Sequence, residues 1–251
     1  MLKASQFPLT GRKSSRVLGT LASNNHNIPM LKKLLFIFTL TLIFLTGSVA
    51  LNAFKPSLIS WKTPPISEVD YQTGDIIFQS SKSGQGLAIQ LATGSKFSHV
   101  GMLIEQGGEI MVFEAVQPVR LTKMSEFVKR GEGGNFVVSR LKNADQIWTD
   151  QRKQEVNSFV KKHVGKDYDL LFDWSDEKMY CSELVWKLYK EVTGLEISEL
   201  KPLKAYDLSH PEVQKQMNSR YGKSIPLDEP MIAPGALFDS DLFEVIRDTD
   251  C

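Results

Sequence analysis

A chain of 251 residues, 42% hydrophobic and 24% charged, has the length and composition of one substantial globular core with a segment or two left over. Its 30 Lys and Arg residues against 29 Asp and Glu leave a formal net charge of +1, which provides no basic field for nucleic acid and excludes it as the expected partner. Two cysteines, Cys181 and the C-terminal Cys251, are too few for a disulfide-built scaffold and lack the paired spacing of a structural zinc site. Either they pair with each other or Cys181 is a free thiol, and the usual mobility of a chain end favours the free thiol.

Residues 1–29 are polar, basic and aperiodic, and read as disordered or as a mis-assigned start, with translation beginning at Met30. Residues 30–53 carry Lys32-Lys33, the apolar run Leu34 to Leu45 and the small residues Ser48-Val49-Ala50, the parts of a secretory signal peptide with its cleavage site. Extended to Ala53 the same run approaches the length of an N-terminal membrane anchor. Either reading exports the bulk of the chain to the periplasm or cell envelope, with membrane association through the apolar segment in the second case. Residues 54–70, with Pro56, Pro64 and Pro65, read as a linker.

The remaining residues, 71–251, are expected to form one domain. Gly74-Asp75 opens the apolar run Ile76-Ile77-Phe78, a buried strand, and Gly86 to Thr93 has helical spacing. Ser98 to Glu105 and Glu109 to Val116 read as strands paired across Gln106-Gly107-Gly108. Leu121 to Arg130 reads as a short helix, Phe136 to Leu141 as a strand, and Asp150 to Val164 as a helix with Val156, Phe159 and Val160 on one face. A second amphipathic helix runs from Cys181 through Leu184, Val185, Leu188 and Val192 to a stop at Gly194. No repeated strand-helix-strand units occur, so the fold class is α+β, an antiparallel sheet packed against helices. The proline-containing tail from Lys201 has two short apolar runs, at Ala236-Leu237-Phe238 and Leu242 to Ile246, and is expected to wrap the domain or close a site.

A thiol in the first turn of a helix feels the positive end of the macrodipole, which favours the nucleophilic thiolate, so Cys181 is a candidate nucleophile. Such a nucleophile needs a nearby base and a third group to orient that base. His99 is the best placed base, since His26 precedes the export signal, His163 sits among lysines at a helix end that reads as solvated, and His210 precedes a proline in the tail. A two-residue turn at Gln106-Gly107 sets Glu114 directly across from His99. A turn at Gly107-Gly108 sets it across from Gly101, diagonal to His99 but on the same face. Glu114 lies among the apolar Val112, Phe113, Ala115 and Val116, where a carboxylate needs a partner. Taken singly, each residue also has a structural reading: a hydrogen-bonded core histidine, a half-exposed glutamate, a small buried cysteine.

In order along the chain, Gly74-Asp75-Ile76-Ile77-Phe78, Phe97-Ser98-His99-Val100-Gly101, Phe113-Glu114-Ala115 and Tyr180-Cys181-Ser182-Glu183-Leu184-Val185 resemble the YiiX-like permuted papain-like enzymes of the NlpC superfamily. The histidine strand precedes the cysteine helix, the circularly permuted order. The resemblance runs from about Tyr71 to Gly194 and implies Cys181 as nucleophile, His99 as general base and acid, and Glu114 as the orienting residue. It also implies Tyr168 as part of the substrate site; Tyr180, beside the nucleophile, either covers the site or packs beneath it. No cofactor is implied. A zinc site of Cys181, His99 and Glu114 lacks a fourth structural ligand at motif spacing, and a metal would take the thiolate away from nucleophilic work. The expected function is an exported thiol amidase or peptidase acting through a thioester, with cell-envelope peptide as substrate. A lipid amide or ester acyl hydrolase or acyltransferase is the alternative on the same fold, and a non-catalytic peptide or amino-acid binding module is the alternative from another class. A polar groove at the site would favour peptide, and an apolar tunnel an acyl chain.

Overall fold

The computed structural model describes residues 69–249. The expected early start, the signal or anchor of residues 30–53, most of the linker and Cys251 lie outside these residues. Among the described residues no helix is long and apolar enough to cross a membrane.

Strands β1 (Ile76–Gln79), β2 (His99–Gln106), β3 (Glu109–Glu114), β4 (Arg120–Lys123), β5 (Val137–Leu141) and β6 (Phe243–Asp248) form one sheet in the order β4-β3-β2-β1-β5-β6, every pairing antiparallel. The sheet is accompanied by helices α1 (Gly84–Thr93), α2 (Met124–Arg130), α3 (Ala144–Ile147), α4 (Asp150–His163), α5 (Cys181–Thr193), α6 (Pro211–Tyr221) and α7 (Pro234–Phe238). The period-two alternation of a strand sorts its side chains to two faces. Val100, Met102 and Ile104 of β2 join Leu184, Val185, Leu188 and Val192 of α5 in the larger core. Leu103, with Ile77, Val112 and Val138, packs against Met124 and Phe127 of α2 in a second core. The expected α+β arrangement is therefore the observed one, with helices on both faces of the sheet.

The β2–β3 turn is Gly107-Gly108, with φ of 63° and 82°, left-handed conformations that glycine adopts at little cost. Gln106 lies opposite Glu109 and Met102 opposite Phe113, so Glu114 falls beside Gly101 and diagonal to His99, the second of the two registers the sequence allowed. Gly101 is itself required by the close approach of β3. A Cβ there would sit 2.5 Å from Val112 Cγ1 and 3.4 Å from the Cβ of Glu114.

Two expectations need correction. The helix expected over Leu121 to Arg130 begins only at Met124. The residues before it form β4, with Leu121 opposite Phe113, because ladder bonds to β3 and the buried β-branched Thr122 outweigh the helical spacing. His163 is not on a solvated helix end but only 1% exposed, stacked on Phe159 at 4.1 Å between ring centroids. The tail contains a helix, α6, that its polarity concealed, while its second apolar run becomes β6 and completes the sheet edge against β5.

The Gly74-Asp75 motif is explained by packing. Asp75, 1% exposed, accepts from Arg140 Nε at 2.8 Å and Nη2 at 2.7 Å, and from the backbone N–H of Gln72 at 3.0 Å. This fork ties the start of β1 to β5, its neighbour in the sheet.

Candidate active site

Helix α5 starts at Cys181, directly after Tyr180, whose backbone N–H donates to the Glu183 side chain at 3.2 Å. That contact secures the first turn, where the backbone N–H groups have no intrahelical acceptor and face outward. Glu183 is wholly buried and pairs with Lys187 at 2.9 Å; burial outweighs this pairing and pushes its carboxyl up to about 7.

Cys181 is 3% exposed and free of any disulfide among the described residues. Burial pushes its thiol up, but the hydrogen bond and charge of His99, aided by the backbone N–H groups of Val100 and Ser182, more than offset this, and the thiol ends below its ordinary value. His99 shows the opposite balance. Burial pushes the imidazole down, while hydrogen bonds to Cys181 and Glu114 raise it to about 9. Cysteine and histidine thus favour each other's charged form, thiolate beside imidazolium.

The third residue is in contact. His99 Nε2 lies 2.7 Å from Glu114 Oε2, which leaves Nδ1 as the ring nitrogen for the thiol. Glu114 is 0% exposed, and its other oxygen, Oε1, accepts from Thr122 Oγ1 at 2.6 Å and from Arg130 Nη2. Burial pushes this carboxyl up, yet the bonds and charge of His99, then Thr122 and Arg130, hold it below its ordinary value. The structural alternative of a half-exposed glutamate does not describe it.

Tyr168 is half-buried near the thiol, and its hydroxyl accepts from Gln85 Nε2 at 2.9 Å. Burial and the charge of Cys181 push its phenol well above the ordinary value, so the hydroxyl keeps its proton. Tyr180 packs beneath the site. It is 2% exposed, stands edge-on to Phe172, and its hydroxyl accepts from the Ile232 backbone N–H at 3.2 Å.

Two neighbouring spaces border the site. One is a cleft walled by Ala88, Ile89, Phe172, Leu203, Met217 and Ile232, with Cys181 itself in the wall. The other, on the His99 side, is lined by Ser81, Ser83, Ser98 and Gln117 together with the apolar Ala115, Val116 and Leu170. Gln85, Ile89 and Tyr168 border both. The tail closes the apolar cleft, held in place where Ser182 Oγ donates to the Ile232 carbonyl at 2.8 Å.

Sequence reasoning brought Cys181, His99, Glu114 and Tyr168 together, and it missed Gln85, Thr122 and Arg130. Thr122 and Arg130 were hidden in a segment read as a short helix. Gln85 lies one residue before the helical pattern recognised at Gly86, and nothing in its local sequence marks it.

An antiparallel sheet whose histidine strand precedes a cysteine-led helix defines a papain-like fold in circular permutation. Residues 70–247 match the family described as permuted papain-like amidase enzyme, YaeF/YiiX, C92 family, and the chain belongs to that family. Among curated proteins it is 45% identical over 169 residues to the uncharacterized protein YiiX of Escherichia coli strain K12, covering 67% of this chain and 82% of that protein. Among solved structures it is similar to that of a protein described as metalloprotein YiiX, from Escherichia coli O157:H7, at 44% identity and a TM-score of 0.67, covering 70% of this chain and 97% of that one.

Proposed function

We propose that this chain is an exported cysteine amidase in which Cys181 is the nucleophile, His99 the general acid and base, and Glu114 the residue that orients and charges His99. The observation that carries the proposal is a His99 imidazole bonded to a buried carboxylate that Thr122 and Arg130 also bond, beside a helix-start thiol whose titration that imidazole lowers. The Cys181 thiolate attacks the carbonyl carbon and the carbonyl π electrons move to oxygen. Collapse of that intermediate expels the amine, which takes its proton from the His99 imidazolium and leaves a thioester on Cys181. Water then attacks the thioester, His99 takes a proton from it, and the thiolate departs from the free carboxylic acid. The backbone N–H of Cys181 is one donor to the oxyanion. The Tyr168 hydroxyl is the second, since Gln85 fills its acceptor side and leaves its proton to give.

The leaving amine must stand beside His99, on the side of the mixed-lined space, and the acyl half then lies in the apolar cleft that Cys181 walls. That lining favours an acyl amide over an envelope peptide as substrate. The solved relative is described as a metalloprotein, but the residues of this site do not fit a metal ion. His99 spends Nε2 on Glu114, so the two cannot converge on one ion, and among the described residues no cluster of three His, Cys, Asp or Glu side chains could hold one.

The test is hydrolysis by the full chain of N-dodecanoyl and N-acetyl p-nitroanilides and of peptidoglycan peptide fragments. The proposal predicts turnover of the dodecanoyl amide, with a kcat/KM well above that of the acetyl amide. Preference for the peptide fragments would return the substrate to the cell wall, and binding of any of them without turnover would make the chain a recognition module.

A further inference from the structure

We propose that Arg130 is a positioning residue for the Cys181–His99–Glu114 triad: it holds Glu114 aimed at His99, and by sharing its negative charge keeps the His99 imidazolium able to release its proton. The inference rests on the triad reading above and assigns a role to α2, an element on the second core of the sheet.

The carboxylate oxygens of Glu114 are divided. Oε2 faces His99 alone, while Oε1 takes both the Arg130 guanidinium and the Thr122 hydroxyl, which in turn accepts from Arg120 Nε at 3.2 Å. With both donors on Oε1, rotation of the carboxylate would break them, so Oε2 stays on the imidazole. Charges then alternate along the site: thiolate, imidazolium, carboxylate, guanidinium. Without Arg130 the first three sum to one uncompensated negative charge around a buried carboxylate.

Arg130 is held in this place by its own helix and by the sheet. Its guanidinium lies over the Phe127 ring at 5.6 Å, and Phe127, 0% exposed, stacks on His99 at 5.5 Å with 27° between the planes. The end of α2 is pinned to the strand that pairs with His99. Gly131 bridges to Ser81, Glu132 N–H donates to the Ser80 carbonyl at 2.9 Å, and Gln79 lies opposite His99. The titratable groups in direct interaction with His99 are Cys181 from α5 and Glu114 from β3; behind them stand Arg130 of α2, on Glu114, Tyr168 of the loop before α5, beside Cys181, and Arg120 of β4, behind Thr122.

The experiment follows the His99 ring by NMR titration in the full chain, in wild type, Arg130→Gln and Arg130→Lys, together with dodecanoyl p-nitroanilide turnover. Arg130 is 36% exposed, so the glutamine variant is expected to fold and its electrostatic effect to be partly screened by water. Loss of the guanidinium should raise the His99 titration by about half to one pH unit and lower kcat about tenfold with KM unchanged. Lysine, which restores the charge, should recover most of both. A His99 titration that is unmoved or lowered in folded Arg130→Gln, or a lysine variant no better than glutamine, would overturn the proposal. Failure of the triad reading looks different: wild-type Cys181 would then react with iodoacetamide no faster than in His99→Ala.

Discussion

At His99 the pull of burial against the charge of two acidic partners resolves in favour of the charge, and the pH dependence follows from that sign. Because its value is raised to about 9, the imidazolium persists through neutral pH and is lost as pH rises through about 9. Amide turnover should therefore fall along an alkaline limb near that value, since the leaving amine loses its proton donor. Glu114→Gln keeps a hydrogen-bonding side chain but removes the charge that raises His99. Its alkaline limb should move toward neutral pH and its turnover fall by at least about tenfold, which a pH–rate profile reads directly. The three residues of the proposed triad were singled out in the sequence because each has a chemically distinctive side chain in a recognisable local pattern. The donors that complete Glu114 were not legible, because Thr122 and Arg130 carry no such mark and become meaningful only once β4 and α2 bring them to one oxygen.

Among the elements, the β2–β3 hairpin determines whether a histidine and a glutamate 15 residues apart can touch. The parity of an even-length turn was readable from the glycines, and both registers it allowed keep the pair on one face. The choice between them was not readable, because it depends on which two residues adopt left-handed conformations. Gly101 is the second requirement, and it gives a prediction at this scale. Gly101→Ala forces a methyl group against Val112 and toward Glu114, so it should cost about 1–3 kcal/mol of stability and reduce turnover together with it, measured by thermal melting and by kinetics on the same sample. The neighbouring error, a helix expected where β4 lies, has the same origin: strand pairing is a long-range contact that helical spacing in one segment does not report.

Over the whole molecule, the tail converts a papain-like core into one with a closed apolar cleft. The sequence showed that the tail was apolar in places and not which walls it would build, since α6, the Ile232 segment and α1 meet only in the folded chain. Ala92, which lines that cleft, offers a way to fill it. Ala92→Phe should abolish the preference for a long acyl chain while leaving N-acetyl p-nitroanilide turnover within about twofold, as expected when volume is removed from a pocket without touching the reacting groups. Far from the site, Arg140→Met strands the buried Asp75 carboxylate and should cost about 3 kcal/mol in denaturant unfolding with the alkaline limb unmoved. The most direct check on the central claim is a comparison of the two thiols of the chain. Iodoacetamide at pH 6, followed by peptide mapping, should modify Cys181 far faster than Cys251, and His99→Ala should erase that difference. Modification of Cys181 at or below the rate of Cys251 in the folded, reduced wild type would contradict the account.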